Sequence, residues 1–433
     1  MSDARPLQRW ILALFLVGLA LSITLSQLAL ALLVVFWLFR LRDAPARAAM
    51  TFPLAVPFLA FAAASLLAAL RSENVAASLL HSKALLLGLA FFALVNTLDG
   101  RDDADWFLTR FFLLIAGVSL LSLAHVSLCP PEPWSGPILS RLTRKCFRAR
   151  GFYSIYMTFA GVLTLTLLAA LPRVLARPPE RRWRMLPAWV ASGLALMLTY
   201  TRGAWLGFLV GAVSLTVFLR RAAVFLAVAG VLVLALLLFQ AGTLEDRLRS
   251  LANPADPTLR ERFHMWESAL AMAKDHPLTG VGMGQVKAAF PRYARPEALK
   301  KTTSHVHNTP LQILVERGLL GLAAWLWIWV AFFTHAGRLL RRLGSDQQRE
   351  RGLVAGSLAA IVGFLVAGLS EFNFGDSEVV MVAYALMALP FVVERSLGFP
   401  HPAGSAPSPL SSPPMGEREG SREPSPPRGE RAG

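Results

Sequence analysis

Charge is what this sequence is short of: 16% of its 433 residues are acidic or basic, 55% are hydrophobic, and mean hydropathy is +0.51. A soluble domain of this length needs far more polar surface, so that class is excluded. Acidic residues are the scarcer sign, 27 against 43 lysines and arginines. Their main cluster, Asp99, Asp102, Asp103 and Asp105, reads as a solvated loop, which leaves little for paired-carboxylate chemistry. Cysteine is limited to Cys129 and Cys146, whose spacing permits a disulfide in an oxidising compartment without demanding one. No convincing short-period repeat is present, nor the related halves that a secondary transporter would show.

What fills the chain instead is a series of apolar runs about 20 residues long, enough to cross a ~30 Å hydrocarbon core as helices. Helices satisfy their own backbone groups in lipid, so the expected fold class is an all-α polytopic membrane protein. Trp10 to Phe39 carries basic residues at both ends, Arg5 and Arg9, then Arg40, Arg42 and Arg47. Positive flanks on both sides predict a hairpin of two short helices turning near Ser22 to Gln27, with one steeply tilted helix as the alternative. The apolar run continues too far for a cleaved signal. Further segments at 52–70, 76–98, 106–128, 152–171, 186–201, 203–219, 222–240, 311–335, 353–370 and 377–394 bring the total to about twelve transmembrane helices. Nine of them occupy 1–240, interrupted by a short loop at 129–151; a large, mostly helical loop follows at 241–310; the last three occupy 311–397. The tail, 398–433, is rich in Pro, Ser and Gly and is expected to be disordered and cytoplasmic.

The formal net charge of +16 does not signify nucleic-acid binding. Arginines gather between apolar runs, at 172–185, at Arg220 and Arg221 and at 338–351, and three basic clusters agree on one orientation with the N-terminus inside. The loops 129–151 and 241–310 then fall on the far side, which in a Gram-negative bacterium is the periplasm. There Arg141, Arg144, Lys145, Arg148 and Arg150 break the charge rule. Arginine grips phosphate bidentately, so this excess suits a phosphorylated lipid, with Arg150 a candidate contact.

The remaining candidates lie near span boundaries. Arg202, in Thr199-Tyr200-Thr201-Arg202-Gly203-Ala204-Trp205, separates two apolar runs, where the bland reading is a snorkelling interfacial arginine. Gly203, Gly207 and Gly211 give the following helix a bare face for close packing. Residues 258–274, with Arg260, Arg262 and Trp266, form an amphipathic pattern suited to the membrane surface. A glycine-rich turn at 278–284 is able to offer amides to an anion, although such clusters are more often plain turns. His305-Val306-His307-Asn308 leads into the apolar run at 311. A histidine titrating near neutrality is a natural general base, and the same stretch, with Thr309 and Pro310, is a helix start. No cysteine or carboxylate stands at ligand spacing from His305 and His307, which argues against a metal. Glu316 sits about two turns into a membrane segment, where a charge needs a partner or a task, and Glu371, Asn373 and Asp376 line the short far-side loop between the last two spans.

Together these pieces resemble the O-antigen ligase and polymerase family of bacterial envelope glycosyltransferases. Three signatures carry the likeness: Thr201-Arg202-Gly203-Ala204-Trp205; Arg262-x-x-x-Trp266 followed by His276-Pro277-Leu278-Thr279-Gly280-Val281-Gly282; and His305-x-His307-Asn308 running through Leu311-Gln312 to Glu316-x-Gly318-x-x-Gly321. The resemblance implies a GT-C-like enzyme of the inner membrane, with its active site facing the periplasm and no metal ion or other cofactor. Its donor would be a glycan on undecaprenyl diphosphate and, for a ligase, its acceptor a hydroxyl of lipid A–core oligosaccharide; a polymerase would use a lipid-linked glycan as acceptor. The family's essential arginines and histidine map onto Arg202, Arg262 and His307, with Arg150, Arg260, His305, Asn308 and Glu316 as expected substrate contacts.

Overall fold

The computed structural model describes residues 4–130, 146–176, 179–219 and 257–398. The described residues form helices, turns and loops with no strand. The expected span at 222–240, the cations Arg141, Arg144 and Lys145, residues 241–256 and the tail from 399 lie outside them.

The N-terminal apolar run folds as α1 (Ala4–Leu21) and α2 (Ile23–Arg40), broken where the double positive flanks require a turn. Ser22 is extended there, and its side chain accepts a hydrogen bond from the backbone N–H of Leu25 at 3.4 Å. A Cβ at Gly18 would stand 2.7 Å from the backbone of Ser26, so glycine lets the two arms close.

Next come α3 (Ala55–Leu70), α4 (Val75–His81), a 3₁₀ segment at Ser82–Gly88, α5 (Leu89–Thr97) and α6 (Arg101–Ser127). After the 129–151 loop follow α7 (Tyr156–Ala176), α8 (Pro179–Leu198) and α9 (Arg202–Leu219). The helix α10 (Pro257–Asp275) precedes α11 (Thr309–Arg342), α12 (Gln348–Ala367) and α13 (Ser377–Ser396). Eight helical stretches among the described residues are long and apolar enough to cross a membrane, with Ala55–Leu70 and Met185–Leu198 as shorter apolar helices. The protein is an all-α, multi-pass membrane protein.

The centre of the bundle is α7, α12 and α13, the most enclosed spans. The bare face of α9 lies against α12: a Cβ at Gly207 would strike the carbonyl oxygen of Gly363, and one at Gly211 would stand 2.9 Å from that of Ala359. At one end of the bundle, the aspartates expected to be solvated are instead paired. Asp105 binds Arg173 of α7 and lies 3.1 Å from Arg349, which reaches Asp102 at 2.7 Å. Arg101 meets Glu350 at 2.9 Å, while Arg9 and Arg40 approach Asp103 and Asp99 at 3.7 and 3.5 Å. These pairs join α1, α2, α6, α7 and α12 at the end that carries the basic clusters at 172–185 and 338–351. The candidate site lies at the other ends of α8, α9 and α12.

Candidate active site

The site is built on the turn between α12 and α13, residues 368–376. Asn308 caps α11: it is extended, and its Oδ1 accepts from the N–H of Leu311 at 2.9 Å, as its place before Pro310 predicts. The same residue donates through Nδ2 to the carbonyl of Leu369 at 2.9 Å. Thr309 donates its N–H to Gly368 O at 2.7 Å, and its hydroxyl lies 2.9 Å from Glu371 O. The expected substrate contact at Asn308 is thus also a structural cap.

These bonds hold His307 at φ 48°, in the left-handed region. That conformation costs a non-glycine residue about 1–3 kcal/mol and persists only where the surroundings impose it. The result is a specific pairing: His307 Nδ1 lies 3.1 Å from Glu371 Oε2. When Nδ1–H donates to that carboxylate, Nε2 is the free acceptor, the state a general base requires.

The other carboxylate oxygen, Glu371 Oε1, accepts from Arg262 Nη2 at 3.0 Å, while Nη1 of Arg262 donates to Ser370 O at 3.0 Å. Arg262 and Trp266 are one turn apart and share a face of α10. Trp266 Nε1 donates to Val306 O at 2.9 Å, so that face clamps both the histidine segment and the turn. Arg260 is exposed and takes no part in this clamp. Of the two neighbouring arginines, Arg262 is the one brought to His307.

Arg202 opens α9 and is exposed, with no hydrogen-bond or ion-pair partner among the described residues. Its neighbour Gly203 lies so close to Ser370 that a Cβ there would meet the serine hydroxyl. The first turn of the Arg202 helix and the Arg262 guanidinium therefore both meet Ser370. Tyr200, just before Arg202, has φ 53° and turns the chain from α8 into α9.

The 129–151 loop reaches this corner. Cys129 and Cys146 form a disulfide with Cα atoms 5.4 Å apart, and Ala149 N–H donates to Leu198 O at 2.9 Å. The Arg148 guanidinium then lies 4.3 Å from the ring centre of Tyr156 and 5.9 Å from that of Tyr200. Arg150 is half-buried in the same turn and already engaged within the protein.

His305 packs edge to face on His307, ring centres 4.3 Å apart. Burial and the neighbouring His307 hold its pKa below the usual imidazole value, and its buried Nδ1 has no hydrogen-bond partner among the described residues. Among the described residues no three His, Cys, Asp or Glu side chains gather as metal ligands.

Glu316 is placed elsewhere. Its Oε1 accepts from Gly284 N–H at 3.1 Å and from Gln312 Nε2 at 2.9 Å, and its Oε2 from Arg317 at 2.6 Å. Gln312 in turn accepts from Val306 N–H at 2.9 Å. Through Gln312, Glu316 holds the histidine segment in place. Arg317 turns inward to it and is buried. The amides of the glycine-rich turn are likewise taken: Val281 and Gly282 donate to Val315 O and Glu316 O at 2.9 and 3.0 Å, where α11 breaks at Gly318 (φ 63°).

Sequence reasoning noticed Glu371 only as a lining residue. The available signal was an acidic residue in a short loop on the same side as two candidate arginines and a histidine.

Residues 186–326 match the family model described as O-antigen ligase, an interval that contains Arg202, Arg262 and His307 and stops short of Glu371. A search of curated proteins finds no match.

Proposed function

We propose that the chain, whose residues 186–326 match the O-antigen ligase family, is an O-antigen ligase. It transfers a polysaccharide from undecaprenyl diphosphate to a hydroxyl of lipid A–core oligosaccharide, in the periplasmic leaflet of a bacterial inner membrane. The observation that carries this reading is the Glu371 carboxylate bridging Arg262 and His307, with the helix of Arg202 abutting the same turn.

The acceptor oxygen attacks the anomeric carbon opposite the diphosphate. The bond from that carbon to the diphosphate oxygen breaks, its electron pair stays on the diphosphate, and the configuration inverts. His307 Nε2 receives the acceptor's proton. Charge grows on the leaving diphosphate, and Arg202 and Arg262 neutralise it as it develops, the task a metal ion performs in other transferases. Arg202 is free to meet the lipid headgroup first. Arg262 is held by Glu371 until the diphosphate competes for it, so donor binding and alignment of His307 are coupled through one carboxylate. Since the arginines supply the positive charge, chelation with EDTA is expected to leave transfer intact.

Complementation tests the reading. A strain lacking this protein should accumulate long lipid-linked polymer with uncapped core, and the wild-type chain should restore capping while Arg202→Ala, Arg262→Ala and His307→Ala should not. Core capped with single repeat units in the null strain would assign the chain to the polymerases. Restored capping by all three variants would remove the site.

A further inference from the structure

A cavity of about 470 Å³ lies behind the histidine segment, outside the Arg202–Arg262–His307 cluster. Ser304 and Phe372 line it, and their chain neighbours His305 and Glu371 face His307 on the other side. The cavity and the cluster therefore share a wall one residue thick.

Two features mark it as more than a packing defect. The first is backbone. Sequence analysis predicts one continuous span at 76–98, but the structure unwinds it to a seven-residue 3₁₀ segment, Ser82–Gly88. Runs of 3₁₀ helix beyond three or four residues are uncommon, and irregular backbone at membrane depth is tolerated where it lines a cavity or is buried in protein. Gly88 at the end of this segment lines the cavity, as does His81 just before it.

The second is polarity. The polar lining comprises Lys287, His81 and Ser304 beside the mutually paired Glu316 and Arg317, and Lys287 and Ser304 have no side-chain partner among the described residues. His81 Nδ1 is engaged by Ala77 O at 2.8 Å, which leaves Nε2 for a ligand. The nearest carboxylate in the lining, Glu316, is neutralised by Arg317. The opposite wall is aromatic: Phe58, Phe61 and Tyr384 line it, on α3 and α13. The outer surfaces of α3 and the 3₁₀ segment present Leu59 and Leu86, 67% and 61% exposed, as lipid-facing residues do.

A cationic rim over an apolar, lipid-flanked floor complements an amphiphile bearing phosphate. The geometry points to a second lipid subsite here, with a phosphate group on Lys287 and His81 and an apolar portion against Phe58, Phe61 and Tyr384. One lysine and one histidine suit a phosphate monoester, whereas the two arginines across the wall suit a diphosphate. The occupant is therefore the acceptor lipid, its hydroxyl passing His305 to reach His307. Its role as acceptor rests on the glycosyl-transfer reading above; its binding does not.

The test uses the full chain in phosphatidylcholine nanodiscs. The probes are a bis-phosphorylated acylated disaccharide, its dephosphorylated form, and undecaprenyl diphosphate. Lys287→Glu, and His81→Ala with Lys287→Ala, should weaken the phosphorylated glycolipid by about tenfold or more while leaving undecaprenyl diphosphate unchanged. Arg202→Ala should do the reverse. Ala84→Trp, which fills the cavity from the 3₁₀ segment, should weaken the glycolipid in either form. Lys287 is exposed, and unchanged thermal melting of its variant separates lost binding from lost fold. Loss of undecaprenyl diphosphate in place of the glycolipid would make the cavity a donor site and overturn the acceptor assignment. Unchanged binding of every probe in Lys287→Glu would overturn the subsite. Wild-type chain that binds the glycolipid through Lys287 yet transfers no glycan would leave the subsite standing and sink the proposed function.

Discussion

Glu371 links the candidate residues through one side chain, because its two oxygens are divided between His307, the proposed general base, and Arg262, the proposed diphosphate contact. Glu371→Gln keeps the shape and removes the charge. With His307 less well oriented, kcat should fall by about 10–100-fold, while the donor KM should fall or hold, since Arg262 no longer has a carboxylate to leave. Steady-state kinetics with a lipid diphosphate donor separates the two parameters; a KM that rises with unchanged kcat would deny the bridge its role. His305 supports a second expectation. Its folded-state pKa is held below the unfolded value by burial, so beneath about pH 6.5 the unfolded chain takes up a proton that the folded chain refuses. Stability should be full above that pH and decline as pH falls towards the folded pKa. His305→Phe should show a smaller drop in melting temperature between pH 7.5 and 5. None of this geometry is visible in sequence. Arg202, Arg262 and His307 could be singled out by residue type and boundary position, but Glu371 becomes informative only once α12 brings it to them, 64 residues from His307 and 109 from Arg262.

At the scale of elements, legibility follows whether the cause is local. The break at Ser22 could be read from paired basic flanks, and the packing face of α9 from glycines four residues apart. The 3₁₀ segment could not, because Ser82-Lys83-Ala84-Leu85-Leu86-Leu87-Gly88 is rich in helix formers and local propensity gives no sign of a departure from the α-helix. The partners of Glu316 are hidden for a related reason: an intramembrane carboxylate signals either a partner or a task, and sequence alone does not decide which. The disulfide is the element whose local role can be tested directly. It closes a loop that brings Arg148 beside Tyr156 and Tyr200. Replacing both cysteines with serine should cost the loop about 3 kcal/mol of stability and raise the donor KM more than it changes kcat, because Arg148 stands beside the Arg202 turn and not at His307. Equal kinetics in oxidised and reduced protein would show that the loop does not assist the site.

Across the whole molecule, the ion-pair network that ties α1, α2, α6, α7 and α12 together and the candidate chemistry lie at opposite ends of the bundle. The acidic start of α6, read from sequence as a solvated loop, instead ties five helices together through partners far along the chain. Charge pattern indicated which end those residues occupy but not what they bind, since a salt bridge between helices leaves no mark on either segment alone. The separation predicts that stability and activity respond to different mutations. Asp105 pairs with Arg173, which is only 8% exposed, and with Arg349 at 3.1 Å. Removing one member of a buried pair costs about 3–5 kcal/mol, a cost that Arg173's remaining 3.0 Å bond to Thr109 reduces in part. Asp105→Ala should therefore lower the melting temperature in detergent by several degrees while leaving kcat and both lipid affinities near wild type at a permissive temperature. His307→Ala should do the opposite, abolishing transfer with little change in melting. If Asp105→Ala instead weakened donor binding without loss of stability, the two ends would be coupled through α7 and α12, and the division between a stabilising face and a reactive face would not hold.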